Sequence, residues 1–148
     1  MAADATDEVE AIITRLKTLV GGRVWESALP DDEDPPRLAS GAVAPYIVVD
    51  FGAPVRSTRD RNIASGELGQ PHILPLNVAC VAGDIATARA VAKAVFNLLV
   101  DWAPSSSSDP IVAQGGYGSN RPSTERSPTR FVKGLFFETT VNNTVHPA

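Results

Sequence analysis

One cysteine, Cys80, and two histidines, His72 and His146, are the only thiol and imidazole groups in this chain. A lone cysteine excludes an internal disulfide and a multi-cysteine metal site. It lies within the apolar run from Ile73 to Ala82, where a small buried hydrophobe is expected. Neither histidine has a partner three or four residues away that would begin a metal site, and both read as surface residues. Serines are plentiful, yet none sits in a Gly-x-Ser-x-Gly elbow, and a triad would have to recruit one of the two peripheral histidines. No catalytic, cofactor-binding or metal-binding residue is therefore expected, and no enzyme. No apolar run approaches the ~18 residues of a membrane-spanning helix. The start, Met1 to Glu8, is acidic and lacks the apolar centre of a signal peptide, so a soluble protein made inside the cell, with no membrane partner, is expected. An excess of basic charge is missing as well: 13 Lys and Arg against 17 Asp and Glu give a net charge of −4, which argues against general nucleic-acid binding.

What is present is a cleanly patterned frame. A chain of 148 residues with 43% hydrophobic content fits a single domain spanning 1–148. Val9, Ile12, Ile13, Leu16, Leu19 and Val20 recur at helical spacing, with Thr6 as the expected N-cap and Gly21-Gly22 as the stop. Arg23 to Leu29 reads as a short strand, and Pro45 to Phe51 as a second, with its proline at the entrance where a strand tolerates it. Ile73 to Ala82 sets Leu74, Leu76, Val78 and Cys80 on one face, and Pro75 predicts an edge or a bulge because it cannot donate to a ladder. Asp84 is the expected cap of a second helix whose stripe is Ile85, Ala88, Val91, Ala92, Val95, Phe96 and Leu99. Phe131 to Val141 closes the set as a strand, with Leu135, Phe137 and Val141 turned to the helices.

This order, helix, three strands, helix, strand, contains no βαβ series. It predicts an α+β domain: a mainly antiparallel sheet of about four strands with two helices packed on one face, plus two long polar arms. Tyr46 and Val48 put apolar groups on the face opposite Ile47, Val49 and Phe51, which favours a covering neighbour. The arms are 54–72 and 104–130. Unstructured loops beyond about 12–15 residues are uncommon in compact domains and usually serve as functional arms, lids or disordered segments.

The glycine-rich Gly115 to Gly118 lacks a following Lys-Ser/Thr pair and a strand-to-helix context, so it reads as a turn and not a phosphate loop. The acidic run Asp31-Asp32-Glu33-Asp34 lacks the spaced ligands and central glycine of a calcium loop and reads as surface. Arg56, Arg59 and Arg61 concentrate positive charge in the first arm of an acidic protein, and guanidinium groups suit bidentate carboxylate contacts. Asp31, Asp32 and Asp34 of an adjacent copy are a natural partner, repeated around a ring by symmetry. A solvated hairpin tip with screened charges is the plain alternative. In the second arm, Tyr117 and Arg121 are the interface candidates, and that arm is expected to order on docking.

The helix ending near Gly21-Gly22, the Val24-Trp25 strand with its acidic, proline-bearing sequel and the strand Pro45-Tyr-Ile-Val-Val49 form one half of a recognisable series. The long arm, the strand reaching Gly83, the alanine-rich helix to Trp102 and the closing strand Phe131 to Val141 form the other. Together they resemble the tail terminator proteins of long, non-contractile-tailed bacteriophages over roughly Val9 to Asn143. The resemblance implies a non-enzymatic virion protein of the tail and neck, made in the host cytoplasm. It implies a homohexameric ring that caps the tail tube, stops its polymerisation and joins it to the head–tail connector. Its partners would be itself, the tail tube protein and the connector protein, with DNA only passing through the lumen and no cofactor. A tail tube subunit or another neck protein is the alternative within that class, and a small-ligand or enzymatic domain is the alternative outside it.

Overall fold

Alternating apolar side chains at Leu74, Leu76, Val78 and Cys80 form the middle of the molecule. The computed structural model describes residues 5–31, 34–56, 71–114, 122–123 and 128–142. Its elements are α1 (Thr6–Leu16), β1 (Val24–Glu26), β2 (Tyr46–Phe51), β3 (Val55–Arg56), β4 (Pro71–Ala82), α2 (Ile85–Leu99), β5 (Val112–Ala113), β6 (Pro122–Ser123) and β7 (Arg130–Asn142), with a 3-10 turn at Val20–Gly22. The strands lie in the order β1-β2-β4-β7-β5, while the two-residue strands β3 and β6 pair with β4 and β7. The expected α+β fold is the observed one, and its four expected strands are β1, β2, β4 and β7. Among the described strands every pairing is antiparallel except β1 with β2. That exception follows from the connection: residues 27–45 are long enough for the crossover that a parallel pair requires.

Strand β4 pairs with β7 from Pro71↔Asn142 to Ala82↔Phe131, and with β2 from Tyr46↔Val81 to Phe51↔Leu76. Because side chains alternate along a strand, this register places Ile47, Val49, Leu76, Val78, Cys80, Leu135 and Phe137 on one face. There they meet Ile12 and Leu16 of α1 and Ala92, Val95 and Leu99 of α2 in one core. Full burial of each large side chain contributes on the order of 1.5–3 kcal/mol. Cys80 is part of this core, as expected, and burial pushes its thiol pKa up to about 12.

The opposite face carries a smaller cluster of Val43, Tyr46 and Val81, flanked by Trp25, Leu29, Val48 and Val132. The apolar groups at Tyr46 and Val48, which suggested a covering neighbour, are met here by the chain's own turn at residues 36–44. That turn is closed by hydrogen bonds from the Leu38 N–H to the Ala42 carbonyl and from the Ala44 N–H to the Pro36 carbonyl, both 2.8 Å. The buried Arg130 donates to the Tyr46 hydroxyl at 3.3 Å on the same side.

Helix boundaries differ from expectation at α1. Ala5, not Thr6, occupies the N-cap position, with no side-chain capping bond, and the helix ends at Leu16 with Lys17 as C-cap. Gly21 and Gly22 act later: Val20, Gly21 and Gly22 run through positive φ values of 47°, 61° and 80° and redirect the chain into β1. For a β-branched residue such as Val20 the left-handed region costs about 1–2 kcal/mol, offset by its packing against the main core. Strand β1 is shorter than expected because Ser27 also turns left-handed, at φ 67°.

At α2 the expected cap is observed: the Asp84 carboxylate accepts the Thr87 N–H at 2.7 Å and the Thr87 hydroxyl at 2.8 Å. These bonds, the backbone one foremost, hold the Asp84 carboxyl below its ordinary range. A carboxylate whose pKa is lower in the folded chain contributes stability that is complete above the unfolded value, near 3.9, and is lost as pH falls through the folded value. Asp84→Ala is therefore expected to lower the thermal midpoint at neutral pH, with the gap from wild type closing below about pH 3.9. A gap that stays constant down to pH 2 would contradict the capping role.

Candidate assembly surfaces

The first arm leaves the sheet at a bulge. Phe51 pairs with Leu76 and Val55 with Ile73, so Gly52, Ala53 and Pro54 stand opposite only Leu74 and Pro75. One extra residue on one strand bends it and increases its twist. Pro75 sits where the ladder opens, the bulge that its missing N–H called for, and its carbonyl accepts the Gly52 N–H at 2.9 Å. A side chain at Gly52 is excluded, since a Cβ there would lie 2.6 Å from Pro75 Cγ. Beyond the bulge, Arg56 pairs with His72 across β3 and β4, so both roots of the arm are fixed side by side on the sheet. Arg56 belongs to this root by its backbone; Arg59 and Arg61 lie outside the described residues.

The second stretch divides into two parts. Its beginning does not wait for a partner: residues 104–114 dock onto the body of the domain, which corrects the expectation of an arm from Pro104 onward. Ile111 is fully buried, and its N–H donates to the Trp102 carbonyl at 2.9 Å. The serines form a polar latch. Ser105 Oγ donates to the buried Glu8 carboxylate of α1 at 2.9 Å, and Ser108 Oγ donates back to the Ser105 carbonyl at 3.1 Å. The Asp109 N–H then donates to the Thr140 carbonyl at 2.8 Å, and the buried Thr139 hydroxyl to the Asp109 carbonyl at 2.7 Å. Polar groups in this run hydrogen-bond to buried polar groups of α1 and β7, as buried polar groups require. Tyr117 and Arg121 lie outside the described residues.

Asp31 and Asp34 are exposed, as expected of a surface run, and the Asp34 N–H donates to Asp31 Oδ1 at 3.2 Å. Arg37 pairs with Asp34 at 3.5 Å, an exposed contact worth ~0–1 kcal/mol. Asp32 is outside the described residues.

A third surface carried no sequence motif. Arg89 and Lys93, one turn apart on α2, converge with Lys133 of β7 around a groove of about 380 Å³ floored by Ala92, Phe96 and Leu135. Phe96 remains 39% exposed there. Lys133 follows the alternation of Leu135, Phe137 and Val141 and so takes a helix-facing position where the pattern predicts an apolar residue. Its cue in the sequence was that break in period, visible only once the strand register is known.

Among the described residues no group of three metal-ligating side chains occurs, and no helix is long and apolar enough to cross a membrane. No protein-family model matches the chain, and no curated protein does. A solved chain from the virion of a native gene transfer agent particle is similar in fold: 90% of this chain aligns with 92% of that one at a TM-score of 0.54 and 22% identity. A second solved chain aligns over 93% of this one at 16% identity, with a TM-score of 0.49.

The serine latch makes its own prediction. Ser105→Ala leaves the buried Glu8 carboxylate without its hydroxyl donor and is expected to destabilise the fold by about 1–2 kcal/mol in urea unfolding. Ser106→Ala, at an exposed neighbour, should stay within about 0.5 kcal/mol of wild type. Equal effects at the two positions would refute the latch.

Proposed function

We propose that this chain is a structural protein of a phage-like virion, and that within it the chain forms a ring that caps the tail tube. The observation that carries the first step is the fold it shares, nearly end to end, with a component of the gene transfer agent virion. The second step rests on the resemblance to tail terminators and on a small sheet whose margin holds the root of the first arm, at β3 and β4.

The physics of a cap suits this frame. A closed ring requires heterologous contacts, in which one surface of a subunit meets a different surface of the next. Such a ring, homohexameric by the resemblance, has two unlike faces, one for the last ring of the tube protein and one for the head–tail connector. The arm rooted at the bulge, with Arg56, Arg59 and Arg61, reaches an acidic surface of the tube or of the next subunit. Residues 115–121, with Tyr117 and Arg121, supply a second contact. A net acidic subunit also leaves DNA free to pass through the lumen, because phosphate binding depends on Lys and Arg.

Deleting the gene from a particle-producing strain tests the proposal. Loss of a terminator should give headless tails of uncontrolled length in electron micrographs, whereas tails of normal length would reject the reading.

A further inference from the structure

We infer that the groove between α2 and β7 is the receiving half of the contact between copies, and that it takes the acidic run Asp31 to Asp34 of the neighbouring subunit. The inference rests on the ring reading above and names the surfaces that would build the ring.

Among the described residues three cations and no carboxylate line this groove, and none of Arg89, Lys93 and Lys133 is held in an ion pair. Arg89 and Lys93 stand four residues apart on one helix face, where like charges repel unless an anion lies between them. Lys133 replaces an apolar residue on the helix-facing side of β7, which withholds the sheet's end from the core and adds a third positive group. In a chain of net charge −4, an unopposed cluster of this kind calls for a negative partner. The apolar floor of Ala92, Phe96 and Leu135 sets a further requirement: the partner must also carry hydrophobic surface.

The acidic loop meets both requirements. The sequence places four consecutive acids between Pro30 and the Pro35-Pro36 pair, which stiffen the chain. Of these Asp31 and Asp34 are exposed, with Asp34 sharing a surface contact with Arg37. Beside it Leu38 is 49% exposed, an apolar group next to the charges. The loop is anchored on the face of the sheet opposite the helices, by Leu29 in the far-face cluster and by the Pro36 carbonyl accepting from Ala44. The groove opens on the helix-bearing face. Donor loop and receiving groove thus lie on opposite faces of one sheet, so the contact is head-to-tail between copies, the heterologous kind that closes into rings. The groove competes for this loop with the arginines of the first arm. It has the advantage of being preformed, since its cations stand on a helix and a strand and little ordering is required on docking.

The test is cross-linking in assembled particles. Glu33→Cys with Asn97→Cys in the same chain leaves all three cations and three of the four acids in place, and Cys80, buried with a suppressed thiolate, stays unreactive. A short bismaleimide should then yield a ladder of covalent oligomers that stops at the copy number of the ring. Adding Lys93→Glu should lower the ladder's yield at least tenfold, and adding Asp34→Lys to that variant should recover it. Particles that contain the protein but give no ladder would overturn the inference while leaving the ring intact. So would a ladder from Glu33→Cys paired with Arg59→Cys in its place, which would give the loop to the arm. A chain absent from purified particles would overturn both the inference and the ring reading.

Discussion

The long antiparallel ladder between β4 and β7 is the constraint on which the rest of the fold depends. Twelve residues of β4, Pro71 to Ala82, face twelve of β7, and β2 is hydrogen-bonded to the other side of the same strand. Because the side-chain period is two, this single register decides what is buried: a one-residue slip would send Leu76, Val78 and Cys80 away from the helices and bring Asn77 under them. The register also puts Ile47 and Val49 on the same face as Leu135 and Phe137, the surface onto which Ile12, Leu16, Val95 and Leu99 close.

Features at the margins of this ladder carry the proposed role. At one end β2 gives way to β3 through a bulge, and Gly52 and Pro75 fix the point from which the first arm departs. On the helix side, α2 and the start of β7 flank a cationic groove. On the far side, the 36–44 turn covers Tyr46 and Val81 and holds the acidic loop at the surface. A rigid sheet thus presents differently charged surfaces in different directions, which is what a subunit needs if each neighbour is to meet a different part of it.

Much of the frame was legible in the sequence because local and global preferences agree there. The alternation from Leu74 to Cys80, the stripe from Ala88 to Leu99 and the capping carboxylate of Asp84 each follow from a short period or one hydrogen bond. Pro75 announced its bulge by lacking an N–H. The parallel pairing of β1 was not legible, since it depends on the path of residues 27–45 and on no local preference. The docking of Ser105 to Ile111 was hidden for a related reason: a serine run reads as solvated chain until Glu8, far away in sequence, is found buried beside it. The groove was hidden too, because Arg89, Lys93 and Lys133 converge only through the packing of α2 on β7. Of the residues proposed for contacts, Asp31 and Asp34 are exposed as expected, and Arg56 stands at the root of its arm.

The central claim, that this subunit ends a tube, is tested most directly by adding the purified protein to the tail tube protein of the same particle while it polymerises and measuring tube lengths by electron microscopy. A terminator should shorten the length distribution as its concentration rises and should appear as one extra ring at a single tube end. Tube lengths that do not respond, or incorporation of the protein along the tube wall, would contradict the account.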